Sequence, residues 1–331
     1  MLTLPMLAVH QPKSVDEAVA LLRDIPGARL LAGGTDIVPN LKYGMYETGN
    51  LVALRGISRE LRYIREEESE LRIGAMCSVD QLANHARVIE LFPSLADAAS
   101  QIAGPQLRRM GTVGGNLCLD TRCVYINQSH FWRSALGYCL KKDGTVCHVV
   151  KGGQRCVAAA SNDTAPILVA LGAMVRLVSP RGERIIPLDD FYIADGVKNT
   201  QLARDELLVE ARIPLAAARL RQAYGKLRLR QAIDFPALNF GVTISVEEQK
   251  VAALRLCVGA LAARPALVRH VDELRGRPVS TPEEIRALGQ ELGLRAQRQC
   301  KPLTNIGVDP EWRREILPVL VRRGVERALL S

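Results

Sequence analysis

The chain has 331 residues, 48% of them hydrophobic and 24% charged, enough for two or more packed units of ordinary globular composition. No apolar run approaches the roughly eighteen residues that a membrane span needs, and the N-terminus lacks the basic and apolar pattern of a secretory signal. The net charge is +9 with aromatics at only 4%, so basic faces come without stacking platforms, zinc fingers or a helix-turn-helix, which argues against nucleic acid as the partner. Eight cysteines without a secretory signal do not read as a disulfide framework, and a cytoplasmic location is expected.

In chain order, Ser14-Val15-Asp16-Glu17 is a capping pattern that starts a helix through Arg23. Arg29–Ala32 reads as a short strand running into the glycine turn Ala32-Gly33-Gly34-Thr35-Asp36, and Leu51–Leu54 as a second strand. Leu61–Ile64 and Leu71–Ile73 look like a hairpin around the charged Glu66–Glu70. Ser78-Val79-Asp80-Gln81 is another capping box, with helical patterning through Ile102 that breaks near Pro93. Then comes Gly111-Thr112-Val113-Gly114-Gly115-Asn116. Past a cysteine-bearing segment, Pro166–Leu171 reads as a helical turn, Met174–Val178 as a strand, and Pro180–Glu183 as a turn back into Arg184–Ile186. From about residue 215 the texture changes. Strand-like Leu238–Val246 and Val251–Ala260 flank a charged turn, and Pro282–Leu292 and Trp312–Leu330 are helical. The last of these, rich in arginine, reads as a solvated amphipathic helix. A first unit over 1–217 and a separate α+β unit over 218–331 are expected.

Glycine lets backbone approach an anion closely, and successive free N–H groups form a nest for phosphate oxygens. Either glycine turn alone is a weak signal. Two of them favour one dinucleotide held between them. Neither follows the Rossmann or P-loop pattern, so NAD and nucleoside triphosphates are not indicated.

The ordered motifs Leu31–Asp36, Arg72-Ile73-Gly74-Ala75, Ile102-Ala103 and Arg109–Asn116, with Asp163–Leu168, Leu171-Gly172-Ala173 and Tyr224–Arg228 downstream, resemble the FAD-binding subunits of molybdenum hydroxylases, the family of carbon monoxide and xanthine dehydrogenases. The resemblance spans nearly the whole chain. It implies an α+β protein with a two-lobed FAD domain of the vanillyl-alcohol-oxidase type, followed by a smaller C-terminal α+β domain of the CO dehydrogenase flavoprotein type. On matching positions, Ala32, Gly33, Gly34, Thr35, Asp36, Ile37, Val38, Pro39 and Asn40 would line the pyrophosphate and ribityl chain. Gly111, Thr112, Val113, Gly114, Gly115 and Asn116 would form the second pyrophosphate loop. Ile102 would lie near the flavin end, Asp163 would hydrogen-bond FAD, and Lys226 would lie near the isoalloxazine.

Between Asn116 and Asp163 an insert of roughly forty residues, about 119–160, holds Cys123, Cys139, Cys147 and Cys156 at intervals C-x15-C-x7-C-x8-C. Thiolates suit zinc or iron–sulfur centres. Without a CxxC pair the spacing leaves cluster, zinc and plain buried thiols open. Zinc has no redox role, whereas a cluster beside FAD would give electrons a route. His148 reads as a neighbour rather than a ligand, and Cys118 as a small residue near the flavin. Tyr125, Phe131, Trp132 and Tyr138 give the insert an apolar body.

Position and cysteine pattern together resemble the flavin subunits of 4-hydroxybenzoyl-CoA reductases, which carry a [4Fe-4S] cluster. That resemblance implies a reductive dehydroxylation on a molybdopterin-containing large subunit, with a [2Fe-2S] small subunit in a heterohexamer of three subunit types. Electrons would come from ferredoxin through the [4Fe-4S] cluster and FAD. Rival expectations are the FAD subunit of an oxidising hydroxylase, a zinc-stabilised binding protein, and a stand-alone flavin oxidase.

Overall fold

The computed structural model describes residues 2–330. The opening helix Val15–Asp24 starts where its cap predicts: the Glu17 N–H donates to Ser14 Oγ, and the Glu17 carboxylate accepts from the Lys13 N–H. Ala18, Val19 and Leu22, one turn of a single face, are buried. They pack in one core with Val52, Leu54 and Ile57. The adjoining parallel sheet runs Ala8–His10, Asn50–Ala53, Arg29–Leu31.

The second lobe is a five-stranded antiparallel sheet in the order Ile64–Glu67, Glu70–Gly74, Leu207–Pro214, Met174–Ser179, Gly182–Pro187. Here the hairpin differs from expectation. The charged residues lie within the strands, and the turn is at Glu68, which has a φ of +57°. An outward edge tolerates this charge because Arg72 pairs with Glu67 at 3.1 Å and Glu70 at 3.3 Å. The helical pattern breaks beside Pro93 as expected, since one helix ends at Leu91 and Phe92 caps the next. Pro93 itself begins the second segment, Pro93–Ser100, at the first helical position, where its missing N–H costs nothing. The capping box at Ser78 forms as expected and starts Val79–Asn84.

The C-terminal unit is an antiparallel sheet in the order Ala266–Leu267, Lys250–Gly259, Leu238–Glu247, Arg221–Leu227. It is covered by helices Pro282–Gln299 and Pro310–Leu330, which share its core through Leu288, Leu292, Leu317 and Val321. The first helix runs past Leu292 because Ala296 remains buried and Arg295 pairs with Glu291 one turn earlier at 2.9 Å. The last helix is not simply a solvated face. Its Arg313 is fully buried and donates to the Leu303 carbonyl.

The two units meet through glycine. A Cβ at Gly241 would stand 2.4 Å from Ile167 Cα, so the sheet lies directly on helix Ala165–Ala170. Thr243 Oγ1 donates to the Ala170 carbonyl at 3.0 Å, and Asn239 Nδ2 to that of Asn162 at 3.0 Å.

The insert is mostly turns around one helix, His130–Leu136. Reciprocal backbone bonds between Arg122 and Ala159 close its base at 2.8 and 2.7 Å. Buried Arg133 anchors it by donating to the carbonyls of Tyr43 at 2.8 Å and Gly44 at 3.0 Å.

Candidate flavin cavity and thiol site

The two glycine turns are packed against each other. A Cβ on Gly33 would lie 1.7 Å from the Met110 carbonyl oxygen, so no side chain fits there. Gly34 has a φ of +75°, a conformation glycine adopts at little cost. The second motif is less open than expected, because Val113–Leu117 forms a short helical turn capped by Thr112, whose Oγ1 accepts from the Gly115 N–H at 3.1 Å. Asn116 ties this turn to the Asp163 segment: its Oδ1 accepts from Thr164 N at 3.1 Å and Thr164 Oγ1 at 2.7 Å.

Between the turns lies a cavity of about 850 Å³. Of the residues expected on it, Ala32, Gly33, Gly34, Thr35, Asp36, Ile37, Pro39, Ile102, Gly111, Thr112, Gly114, Gly115, Asn116 and Asp163 line the wall, as does Cys118. Val38, Asn40, Val113 and Lys226 do not. Once Ile37–Lys42 is helical, successive residues face different ways. Asn40 turns inward to donate to Asp36 at 2.9 Å, and Val113 joins the core.

Lys226 stands behind the wall, fully buried, with Nζ 2.6 Å from Asp163 Oδ1 and donating to the Gln101 carbonyl at 2.9 Å. Burial penalises both charges. It pushes the Asp163 carboxyl up to about 6 against the pull of Lys226, and it lowers Lys226.

Tyr46, Asp120, Arg122 and Phe235 also line the cavity, and no motif marks them in the sequence. Arg122 pairs with Asp36 and stacks 4.1 Å from the Phe235 ring centre. Tyr46 donates to Asp120 Oδ2 at 3.0 Å. Only the fold brings the insert's first residues and a C-terminal loop to the glycine turns.

The four expected cysteines, Cys123, Cys139, Cys147 and Cys156, line one small cavity with Lys141 and His148. Its volume is about 20 Å³, room for a single water. Burial pushes the Cys123 thiol up to about 11 and raises Cys156. His148 Nε2 is committed to the Tyr138 carbonyl at 2.6 Å. Among the described residues no group of three or more His, Cys, Asp or Glu side chains is arranged to hold a metal ion. The four expected thiols nonetheless converge around one narrow cavity.

A chain with two opposed glycine turns, a cavity of this size and a buried carboxylate on its wall is built to hold a flavin dinucleotide. The family description "FAD binding domain in molybdopterin dehydrogenase" matches residues 5–216, and "CO dehydrogenase flavoprotein C-terminal domain" matches residues 222–328. The chain belongs to this family of FAD-binding molybdenum hydroxylase subunits. It is similar to the carbon monoxide dehydrogenase medium chain of Hydrogenophaga pseudoflava, 29% identical over 98% of this chain and 97% of that one. It is also similar to a xanthine dehydrogenase FAD-binding subunit of Escherichia coli, 24% identical over 97% and 96%. Among solved structures, a Cu,Mo-CO dehydrogenase superposes with a TM-score of 0.79 at 27% identity, covering 99% of each chain. No helix among the described residues is long and apolar enough to cross a membrane.

Proposed function

We propose that this chain passes electrons through FAD in an oxidising molybdenum hydroxylase, with a molybdopterin-containing large subunit and a [2Fe-2S] small subunit as its partners in a heterohexamer of three subunit types. The supporting observation is the 850 Å³ cavity between the two glycine turns, a size suited to a cofactor. FAD bound there supplies the exchange between one- and two-electron carriers. The chain's residues hold it. Backbone N–H groups of Gly33–Asp36 would receive the pyrophosphate, with the Gly111–Asn116 turn, whose own N–H groups are mostly bonded within the protein, packed opposite. Ile37 and Pro39 would flank the chain, and Ile102 and Asp163 would bound the flavin end. Lys226 fixes Asp163 from behind. Substrate is transformed on the large partner, and no acid–base role falls to this chain. The similarity to carbon monoxide and xanthine dehydrogenase subunits favours electrons leaving FAD for an external acceptor.

A second reading is carried by one observation, the four cysteines around a single cavity. In it the chain is the flavin subunit of a 4-hydroxybenzoyl-CoA reductase. Cys123, Cys139, Cys147 and Cys156 would hold a [4Fe-4S] cluster and part from one another as it assembles. Electrons from ferredoxin would then run inward toward molybdenum. Thiolate sulfur is the donor type such a cluster takes, and four is the number it needs.

Iron, sulfide, zinc and flavin analysis of the anaerobically purified chain separates the readings. FAD without iron supports the oxidising subunit. About four iron and four sulfide per FAD support the reductase. Zinc without flavin overturns both and leaves a zinc-stabilised binding protein.

A further inference from the structure

One ammonium group links the thiol cavity, which its side chain lines, to a carboxylate on the wall of the flavin cavity. Lys141 is buried, its side chain only 7% exposed. Its Nζ donates to Asp120 Oδ1 at 2.7 Å, Thr121 Oγ1 at 2.7 Å and the Gly196 carbonyl at 2.5 Å, which spends all three of its protons. On the flavin side, Asp120 lines the cavity and accepts from Tyr46. Asn40 Nδ2 reaches both Tyr46 Oη at 3.4 Å and Asp36 Oδ2 at 2.9 Å. The hydrogen-bonded chain therefore runs from the first glycine turn to Lys141 without a gap. On the thiol side, Lys141 lines the cavity itself. The Gly196 N–H donates to the Cys156 carbonyl at 2.8 Å, and a Cβ at Gly196 would stand 2.6 Å from Cys156 Sγ.

We propose that Lys141 is a positioning residue that couples the two cavities, so that seating FAD against Asp36, Tyr46 and Asp120 closes the wall of the thiol cavity at Cys156. The proposal rests on the flavin reading of the large cavity and is read with the four thiols metal-free. A bound ligand that orders one end of a shared network lowers the cost of ordering the other. The coupling is reciprocal, with effects of about 5- to 150-fold typical of linked sites.

The test is the rate of Cys156 alkylation by iodoacetamide in the reduced full-length chain, followed by peptide mass spectrometry with and without FAD. In the wild type FAD slows alkylation by roughly five-fold or more. Lys141→Met brings that ratio to one, and Lys141→Arg retains it. A lysine that served stability alone would let Lys141→Met speed alkylation equally in both states, leaving the ratio unchanged, and that result overturns the proposal. So does a wild-type chain that binds FAD with no change at Cys156. If Lys141→Met does not fold, Tyr46→Phe cuts the same network at Asp120 and must lower the ratio; a ratio it leaves intact overturns the proposal. A folded chain that takes up no FAD overturns the flavin reading first, and the proposal with it.

Discussion

Burial works against Asp163 and Lys226 being charged, and their pairing is the chief opposition to it, with Tyr224 and Arg228 adding to it at Asp163. Asp163 holds its proton up to about pH 6 in the folded chain, above the ordinary value of 3.8. The native state therefore binds more protons than the unfolded state between those values. The stability this carboxyl contributes is fully present below about pH 4 and is lost as the pH rises through about 6. Urea unfolding across that range should show the decline in the wild type and not in Asp163→Asn, which has no proton to lose. Lys226→Met removes the cation that holds the pKa down. The decline should then extend to higher pH, and at pH values where Asp163 is forced to ionise unpaired the cost should reach about 3–5 kcal/mol. A window of unchanged position in Lys226→Met would refute the pairing.

At the scale of elements, the insert has little core of its own: Met45, Ile126 and Cys139, with Cys123 against them. It is held chiefly by polar anchors, and Arg133 is the deepest. Arg133→Met leaves the Tyr43 and Gly44 carbonyls without their donor, at about 1–3 kcal/mol for each group left unsatisfied. Amide hydrogen exchange should rise across residues 123–156 while the strands Leu207–Pro214 and Met174–Ser179 keep their protection. Equal protection in the insert of both proteins would mean that Arg133 does not anchor it. The glycine turns behave differently. They are held by close packing, as the Gly33–Met110 approach shows, and they would stay in place when the insert loosens.

For the molecule as a whole, the flavin cavity depends on how the C-terminal unit is seated. Phe235 and Ile233 reach the cavity from that unit, and Lys226 backs Asp163 from it. Gly241→Val would drive a side chain into the backbone at Ile167, where nothing can rotate away. Overpacking of this kind costs about 1–3 kcal/mol. Because Ile167 lies one turn from Asp163, a lower melting temperature should come with weaker FAD binding in a fluorescence titration. A chain that melts earlier yet binds FAD as tightly would show the two units to be independent.

The sequence by itself determined the helix starts at Ser14 and Ser78, the two glycine turns, the strand pair around Glu247–Lys250, and the family to which they belong. Each is a local signal, a cap, a turn or an alternation, that needs no partner to be read. It placed the charged hairpin and the last helix imperfectly, because an edge strand with its own ion pairs and a helix burying Arg313 follow rules set by neighbours. Tertiary structure alone decided that Val38, Asn40 and Val113 face away from the cavity and that Lys226 stands behind Asp163. It alone brought Tyr46, Asp120 and Arg122 to the cavity and gathered the four cysteines around another. Side-chain direction, burial and the distance between segments remote in sequence are properties of packing, and no run of residues encodes them locally.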